Sequence, residues 1–209
     1  TRPTTTNTIS TTFGDILQYG DYSGCLIVHQ CNCRTRIAAG LAKLIFDKWP
    51  NVNTYESGQN NAMAPGSIHI FDQVVNFYSQ DKPSTPTRNE TKEMRLKWFG
   101  QCLDALLSYS VEQVTHSRTH DTPLEHSRII FPKFIGCSMA GGDWKDYKKA
   151  ILTFAQRLYC ETGGAIRCTI VARVAGHCES CGQPCDEQQE YSRRIFYCRE
   201  CAEDWQKRT

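Results

Sequence analysis

Along the first 174 residues, short apolar runs alternate with stretches of helical spacing, an order that predicts an α/β layer architecture rather than a bundle or a sandwich. Residues 24–30, Gly-Cys-Leu-Ile-Val-His-Gln, read as a buried strand. After a loop, Leu41, Ile45 and Trp49 share one helical face, and Pro50 marks the end of that helix. Residues 67–71 and 74–78 read as two strands separated by Asp72 and Gln73, the pattern of a hairpin. Leu96, Phe99, Leu103 and Leu106 recur at steps of three and four, which predicts an amphipathic helix over residues 89–109 with Lys92, Glu93, Lys97 and Asp104 toward solvent. Residues 110–127 are polar, carry His116, His120 and His126, and read as a surface insertion rather than a metal site. Residues 128–132 give another buried strand, Tyr147, Ile151, Phe154 and Leu158 share a helical face, and residues 166–174 supply a closing strand.

Beyond Gly176 the composition turns abruptly to Cys, Gly, Glu, Gln and Arg, which divides the chain into a main domain, 1–174, and a small module, 175–209. A chain of 209 residues buries one core of ordinary domain size with little left over. The formal charge of +2 creates no strongly positive field, so composition alone does not argue for nucleic-acid binding. No stretch reaches the roughly 18 apolar residues of a membrane span. The polar, Thr-rich residues 1–12 lack the apolar centre of a signal peptide. The twelve cysteines therefore read first as thiols or metal ligands of a reducing, intracellular compartment, cytoplasmic or nuclear.

Four of those cysteines carry a specific pattern. Cys178-x-x-Cys181 and Cys198-x-x-Cys201 are separated by 16 residues, the spacing of a two-knuckle tetrathiolate zinc site. Such a site is closed and structural, and the metal supplies folding energy that so small a unit cannot draw from its own core. Cys185 is a spare thiol, His177 is an alternative ligand, and a disulfide is the competing use of the same residues. Arg193, Arg194 and Arg199 stand among Tyr191, Phe196, Tyr197 and Trp205, a mixture that suits nucleic acid, while Glu187, Glu190, Glu200 and Asp204 suit a protein contact equally.

In the main domain two loops each follow a predicted strand and precede a predicted helix: residues 31–41 and 134–143. Helix N-termini and small-residue loops at the C-terminal ends of strands present backbone N–H groups and receive phosphate readily. Ala38-Ala39-Gly40 and Ala140-Gly141-Gly142 are small enough for a pyrophosphate to approach the main chain; tight packing of a helix on a sheet is the other use of such residues.

The order of these segments resembles the macro domain family. Gly14-Asp15-Ile16 stands ahead of the strand Ile27-Val28-His29-Gln30-Cys31-Asn32; the small-residue loop and its helix follow, then the strand pair after Pro65-Gly66, then Phe131-Pro132 with the second glycine-rich loop. The resemblance covers residues 9–174. It is closest to the branch that processes ADP-ribose 1''-phosphate, through His29-Gln30-Cys31-Asn32-Cys33 and the run 135–144, Ile-Gly-Cys-Ser-Met-Ala-Gly-Gly-Asp-Trp. The resemblance implies a three-layer α/β/α domain with a mixed central sheet, to which the zinc-ribbon-like module is appended. It implies a crevice for ADP-ribose or an ADP-ribosylated macromolecule, with no cofactor required for catalysis. Asp15 would accept from the adenine amine beside the backbone of Ile16. Asn32 would touch the distal ribose. Ala38, Ala39, Gly40 and Leu41 on one side, and Gly136, Cys137, Ser138, Met139, Ala140, Gly141 and Gly142 on the other, would wrap the phosphates.

For catalysis the candidates are Asp143 at the mouth of the second loop, His29, Asn32 and Lys82. Asp143 equally suits a helix N-cap ahead of Trp144, and His29, inside a strand pattern, reads first as a satisfied core residue. The chain departs from the family's commonest hydrolases: Ala38-Ala39-Gly40-Leu41-Ala42-Lys43 stands where they carry an acidic Gly-Gly-Gly-Val-Asp loop. It departs also from a class that pairs a lysine with an aspartate. Lys82 is near the lysine's place, but Ala140 stands where the aspartate belongs, with Asp143 three residues on. The expected function is ADP-ribose binding with hydrolysis of an ADP-ribose derivative; the alternative is a non-catalytic reader directed by the zinc module.

Overall fold

The computed structural model describes residues 8–137 and 140–173, together with four two-residue strands farther along the chain. β1 (Ile9–Phe13), β2 (Cys25–Asn32), β3 (Ile68–Ile70), β4 (Val74–Gln80), β5 (Arg128–Pro132) and β6 (Arg167–Ala172) form one mixed sheet in the order β1-β6-β5-β2-β4-β3. Every pairing is parallel except β3 with β4, the hairpin that the sequence predicts, in which Ile68 lies opposite Phe77 and Ile70 opposite Val75. All of β4 and nearly all of β2 is buried, as central parallel strands covered on both faces must be.

Side-chain alternation divides the core in two. Leu26 and Val28 of β2, Val75 and Phe77 of β4, and Ile129 and Phe131 of β5 pack with α4 (Lys92–His120) and α5 (Trp144–Thr162) on one face. Cys25, Ile27, Val74, Tyr78, Ile130 and Val171 face the other side, against α1 (Ile16–Tyr19), α2 (Gly40–Lys48) and α3 (Thr54–Ser57). The result is the three-layer arrangement expected. On α5 the predicted stripe of Tyr147, Ile151, Phe154 and Leu158 is buried throughout.

Two elements differ from the reading of the sequence. β1, with the sequence Ile-Ser-Thr-Thr-Phe, is an edge strand whose Ser10 and Thr11 are exposed, so no apolar alternation announces it. It is ordered by pairing in register with β6, from Ile9 opposite Cys168 to Phe13 opposite Ala172. Residues 110–120 form the last three turns of α4 and are not a surface insertion. Val114 extends the buried stripe, and the hydroxyls that make this stretch look polar bond back along the helix: Ser110 to the Leu106 carbonyl at 2.8 Å, Thr115 to Val111 at 2.8 Å and Thr119 to Thr115 at 2.8 Å. His116 and His120 stack on the exposed last turns, with ring centroids 4.2 Å apart, whereas His126 is buried and its Nε2 meets the Asp72 carbonyl oxygen.

Farther along, β7 (Gly176–His177) pairs antiparallel with β8 (Pro184–Cys185), and β9 (Glu190–Tyr191) with β10 (Ile195–Phe196). The four predicted zinc ligands lie outside the described residues. Among the described residues no helix is long and apolar enough to cross a membrane.

Because 110–120 is helix, Val111→Pro removes a ladder hydrogen bond in the middle of α4, and we expect a loss of about 3 kcal/mol or more in urea unfolding. A midpoint unchanged by the substitution contradicts the helical assignment.

Candidate functional site

The helix after β2 packs on one face of the sheet and the helix after β5 on the other, so the sheet has a switch point between these two neighbouring strands. They share only three residue pairs, Cys25 with Arg128 through Ile27 with Ile130, whereas β2 follows β4 for six. Past Ile27 the two strands part. In an open α/β sheet, ligands bind in the crevice that such a parting leaves at the carboxyl ends of the strands. Gln30 lies on the parted stretch of β2, and its side-chain amide is covered from solvent with no hydrogen-bond partner among the described residues.

One wall is the β2–α2 loop. Asn32 ends β2, is 7% exposed, and holds the loop: its Oδ1 accepts from the amides of Arg34 at 3.1 Å and Thr35 at 2.8 Å. Its Nδ2 donates to the Tyr55 hydroxyl at 3.0 Å, which also accepts the Asn32 backbone N–H at 2.8 Å. Buried Asn60 continues the support, donating to the Asn32 and Thr35 carbonyls. The loop then reaches α2 through Ala38, Ala39 and Gly40. Ala39 occupies the N-cap in extended conformation and offers no side-chain cap; Gly40 turns into the helix at φ +55, and the first turn of α2 has no acidic residue. The leading amides of α2 therefore lack intrahelical acceptors and, among the described residues, carry the positive end of the helix dipole with no side-chain cap and no first-turn acid to offset it.

The other wall is the β5–α5 loop, and it is built around one aromatic ring. A Cβ at Gly136 would lie 2.0 Å from Tyr147 Cε1, and one at Gly142 2.5 Å from Cε2 of the same ring and 2.4 Å from the Gly136 carbonyl oxygen. The glycines thus let the main chain close over Tyr147, and the Gly142 amide bonds to Gly136 O at 3.0 Å. Gly141, at φ +71, leaves room for Pro86. Phe134 opens the loop at φ +66, a left-handed conformation that costs a residue with a side chain on the order of 1–3 kcal/mol, and its ring packs edge-on to Trp144 at 5.4 Å. Ser138 and Met139 lie outside the described residues.

A third segment, the arm 81–90 after β4, ties both walls together. Arg34 of the first loop pairs with Asp81 at 2.8 Å. Glu90, buried, accepts from the amides of Asp81 at 3.1 Å and Lys82 at 3.0 Å and from Arg95 Nε at 2.8 Å. Arg95, 1% exposed, also donates to the carbonyls of Ser84 at 2.6 Å, Lys82 at 3.3 Å and Ala140 at 2.9 Å.

The structure separates the residues proposed for catalysis. His29 is in the core, 1% exposed, with Nε2 on Asn76 Oδ1 at 2.6 Å and its ring edge-on to Phe46. Burial lowers its pKa to about 4 against the opposing hydrogen bond from Asn76, so it is neutral at physiological pH and reaches no crevice; it is withdrawn as a catalytic candidate. Asp143 is exposed at the mouth of the second loop and serves as the N-cap of α5, accepting from Lys145 N at 2.8 Å. Asp15 likewise caps α1, accepting from Leu17 N at 3.0 Å, at the end of β1, while Ile16 behind it is buried. Lys82 stands exposed on the arm. Cys137 is half-buried and burial, with Asp143 nearby, pushes its thiol up to about 11, which leaves it protonated and a poor nucleophile. Tyr55, Glu90 and Arg95 were not marked by sequence reasoning. Arg95 had a signal: it falls on the stripe of Phe99, Cys102 and Leu106, where an amphipathic helix has no place for an unpaired charge.

No family model matches the chain, and no curated protein matches it. Solved structures do. The macrodomain of Mycobacterium tuberculosis DarG superposes with a TM-score of 0.54 at 17% identity, over 78% of this chain and 96% of that one. A Trypanosoma brucei macrodomain in complex with ADP-ribose gives 0.54 at 15%, over 79% of this chain and 63% of that one. A macrodomain protein from Streptomyces coelicolor gives 0.51 at 20%, over 78% and 97%. The chain has the macrodomain fold.

His29 supplies a pH test. A neutral-only histidine contributes stability that is fully present above its unfolded pKa, near 6.5, and is lost as pH falls toward its folded pKa of about 4. We expect denaturation midpoints to fall across that window by an amount on the order of 3 kcal/mol more than in His29→Gln, which keeps an amide for Asn76 but does not titrate. Parallel pH profiles for the two proteins contradict the assignment.

Proposed function

We propose that the crevice between β2 and β5 binds ADP-ribose. The observation that carries the reading is the bare N-terminus of α2: Ala39 provides no cap, no acid occupies the first turn, and the glycine-rich loop faces it across the switch point. A diphosphate is the ligand that satisfies several such amides at once. α5 differs, since Asp143 already caps it and Asp146 stands in its first turn. The diphosphate would therefore draw on Ala38, Ala39, Gly40 and Leu41 from α2, and on loop amides between Gly136 and Gly142 rather than on the end of α5. Beside that loop, Lys92, Lys145 and Lys148 line a surface depression of about 650 Å³ and favour the approach of an anion. Asp15, exposed at the end of β1, would accept from an adenine amine with the oxygen that does not cap α1. The solved macrodomain in complex with ADP-ribose supports the choice of ligand.

The finer reading is hydrolysis of an ADP-ribose derivative, by removal of a terminal phosphate or of the macromolecule. With His29 in the core, it rests on Lys82 of the arm and Asp143 of the loop as exposed ionisable groups on the segments that bound the crevice. The competing reading, a reader without catalysis, is favoured by the engagement of Asn32 and Asp143 in holding backbone amides. Incubation with ADP-ribose 1''-phosphate, ADP-ribosylated protein and ADP-ribosylated DNA separates the two: turnover of any one establishes the enzyme and its linkage, and binding without turnover establishes the reader.

Ala39→Asp tests the site directly. A carboxylate at this N-cap stabilises the helix by about 1 kcal/mol and occupies the amides that the phosphates need. We expect thermal stability to rise while calorimetric affinity for ADP-ribose falls at least about tenfold, the consequence of roughly 1.4 kcal/mol or more of lost binding. Unchanged affinity sinks the α2 reading.

We also propose that Cys178, Cys181, Cys198 and Cys201 hold a structural zinc in a module, residues 175–209, that directs the domain to a protein or nucleic-acid target. The reading rests on the spacing of the two Cys-x-x-Cys pairs, 16 residues apart. Metal analysis of the purified chain is expected to find one zinc per molecule, lost in Cys198→Ser; a metal-free wild-type chain rejects the module.

A further inference from the structure

Glu90 and Arg95 form a pair of 5% and 1% side-chain exposure at the root of the arm, and their remaining hydrogen bonds all go to backbone. Burying two charges costs several kcal/mol per ion, and the attraction between them recovers that cost only where other partners satisfy the rest of each group. Here they do. The guanidinium places donors on Glu90, Ser84 O, Lys82 O and Ala140 O, and the carboxylate takes the amides of Asp81 and Lys82 with its two oxygens. The partners are not distributed at random. Lys82 is held at both its N–H and its carbonyl, so the exposed lysine grows from a main chain pinned on two sides. The single bond to Ala140 crosses to the glycine-rich loop, next to Gly141, where Pro86 of the arm fills the space that a side chain would need.

We propose that Arg95 is a positioning residue, the joint that sets the arm carrying Lys82 and the glycine-rich loop at one fixed separation and so shapes the crevice before a ligand arrives. This rests on the ADP-ribose reading for its ligand but not for its mechanism. The planar fork of arginine spans four acceptors that belong to the arm and to the loop; an ammonium with three donors on a single nitrogen cannot reach both. Arg95→Lys therefore keeps the charge beside Glu90 and releases one or both segments. The bond from Arg34 to Asp81 then holds the arm only to the opposite wall.

The experiment has two arms on the full chain. Hydrogen exchange is measured in Arg95→Lys and in Glu90→Gln without ligand, and ADP-ribose affinity is measured by calorimetry on the same proteins. We expect exchange in peptides covering 81–90 and 136–143 to rise together by about tenfold in Arg95→Lys, with β2, β4 and β5 unchanged, and affinity to fall by a similar factor. In Glu90→Gln the carbonyl oxygen can keep Asp81 N and Arg95 Nε, but the NH2 that replaces the second oxygen cannot accept from Lys82 N, so the arm loosens more than the loop. A further pair of proteins separates positioning from support of the fold. Replacing both charges, Glu90→Met with Arg95→Met, removes the uncompensated ion that the single Arg95→Met variant leaves buried, so the double variant melts above that single variant; affinity stays low in both, because the carbonyls of Lys82 and Ala140 still lack their common donor. The inference is overturned if Arg95→Lys leaves either segment as protected as in wild type, or if the double variant binds ADP-ribose like wild type. Should the wild-type chain itself bind no ADP-ribose, the ligand reading fails and the exchange arm alone decides whether Arg95 joins the two segments.

Discussion

β2 and β5 run side by side for three residue pairs and then separate, because the chain after one must cover the lower face of the sheet and the chain after the other the upper. Parallel strands in a sheet buried on both faces need crossover helices, and where successive crossovers leave in opposite directions no ladder can bridge the gap between them. The loops that start at that gap inherit its geometry. One must reach α2 across residues 33–39 and the other α5 across residues 133–143, and each brings the start of a helix to the edge of the crevice. The rest of the candidate site follows from how those two loops are held.

They are held differently, and the difference bears on chemistry. The first loop is supported by neutral amides and a phenol, Asn32, Asn60 and Tyr55, and ends on a helix that has no cap. The second is shaped by glycines around the Tyr147 ring, is joined through Ala140 to a buried ion pair, and ends on a helix that Asp143 caps. An uncapped helix of 9 residues gives up about 1 kcal/mol that a Ser or Asp at Ala39 would recover. The strained Phe134 gives up a comparable amount. Both sacrifices fall on segments that border the crevice. The bare end of α2 and the strained Phe134 thus lie on the two loops that leave the switch point, and under the proposed reading the unsatisfied amides are those of α2, since amides already satisfied by the protein have nothing to offer a ligand.

Much of this was legible in the sequence. The strands β2, β4 and β5 announce themselves as continuous apolar runs, α5 by a stripe of four residues, and both small-residue loops by their composition. Three features were hidden for physical reasons. β1 takes its order from pairing with β6, and its own Ser and Thr side chains carry no pattern. The last turns of α4 read as loop because serine and threonine count as polar in a sequence, although here their hydroxyls return to the helix's own carbonyls. His29 stands in an apolar run where a functional and a buried histidine look alike; only the placement of Asn76 opposite it in β4 decides for the buried one. The Glu90–Arg95 pair is the instructive omission, since a charged residue on the apolar stripe of a helix is itself a sign that a partner waits in the fold.

The central claim is that the two loops at the switch point present their amides to a diphosphate. Backbone amide chemical shifts recorded during titration with ADP-ribose test it most directly. The account predicts that the largest changes fall on residues 38–41 and 136–142, with smaller ones at Asp15 and Lys82. Changes centred instead on the depression of about 400 Å³ beside Arg128 and Arg167, near the N-terminal ends of β5 and β6, would contradict it.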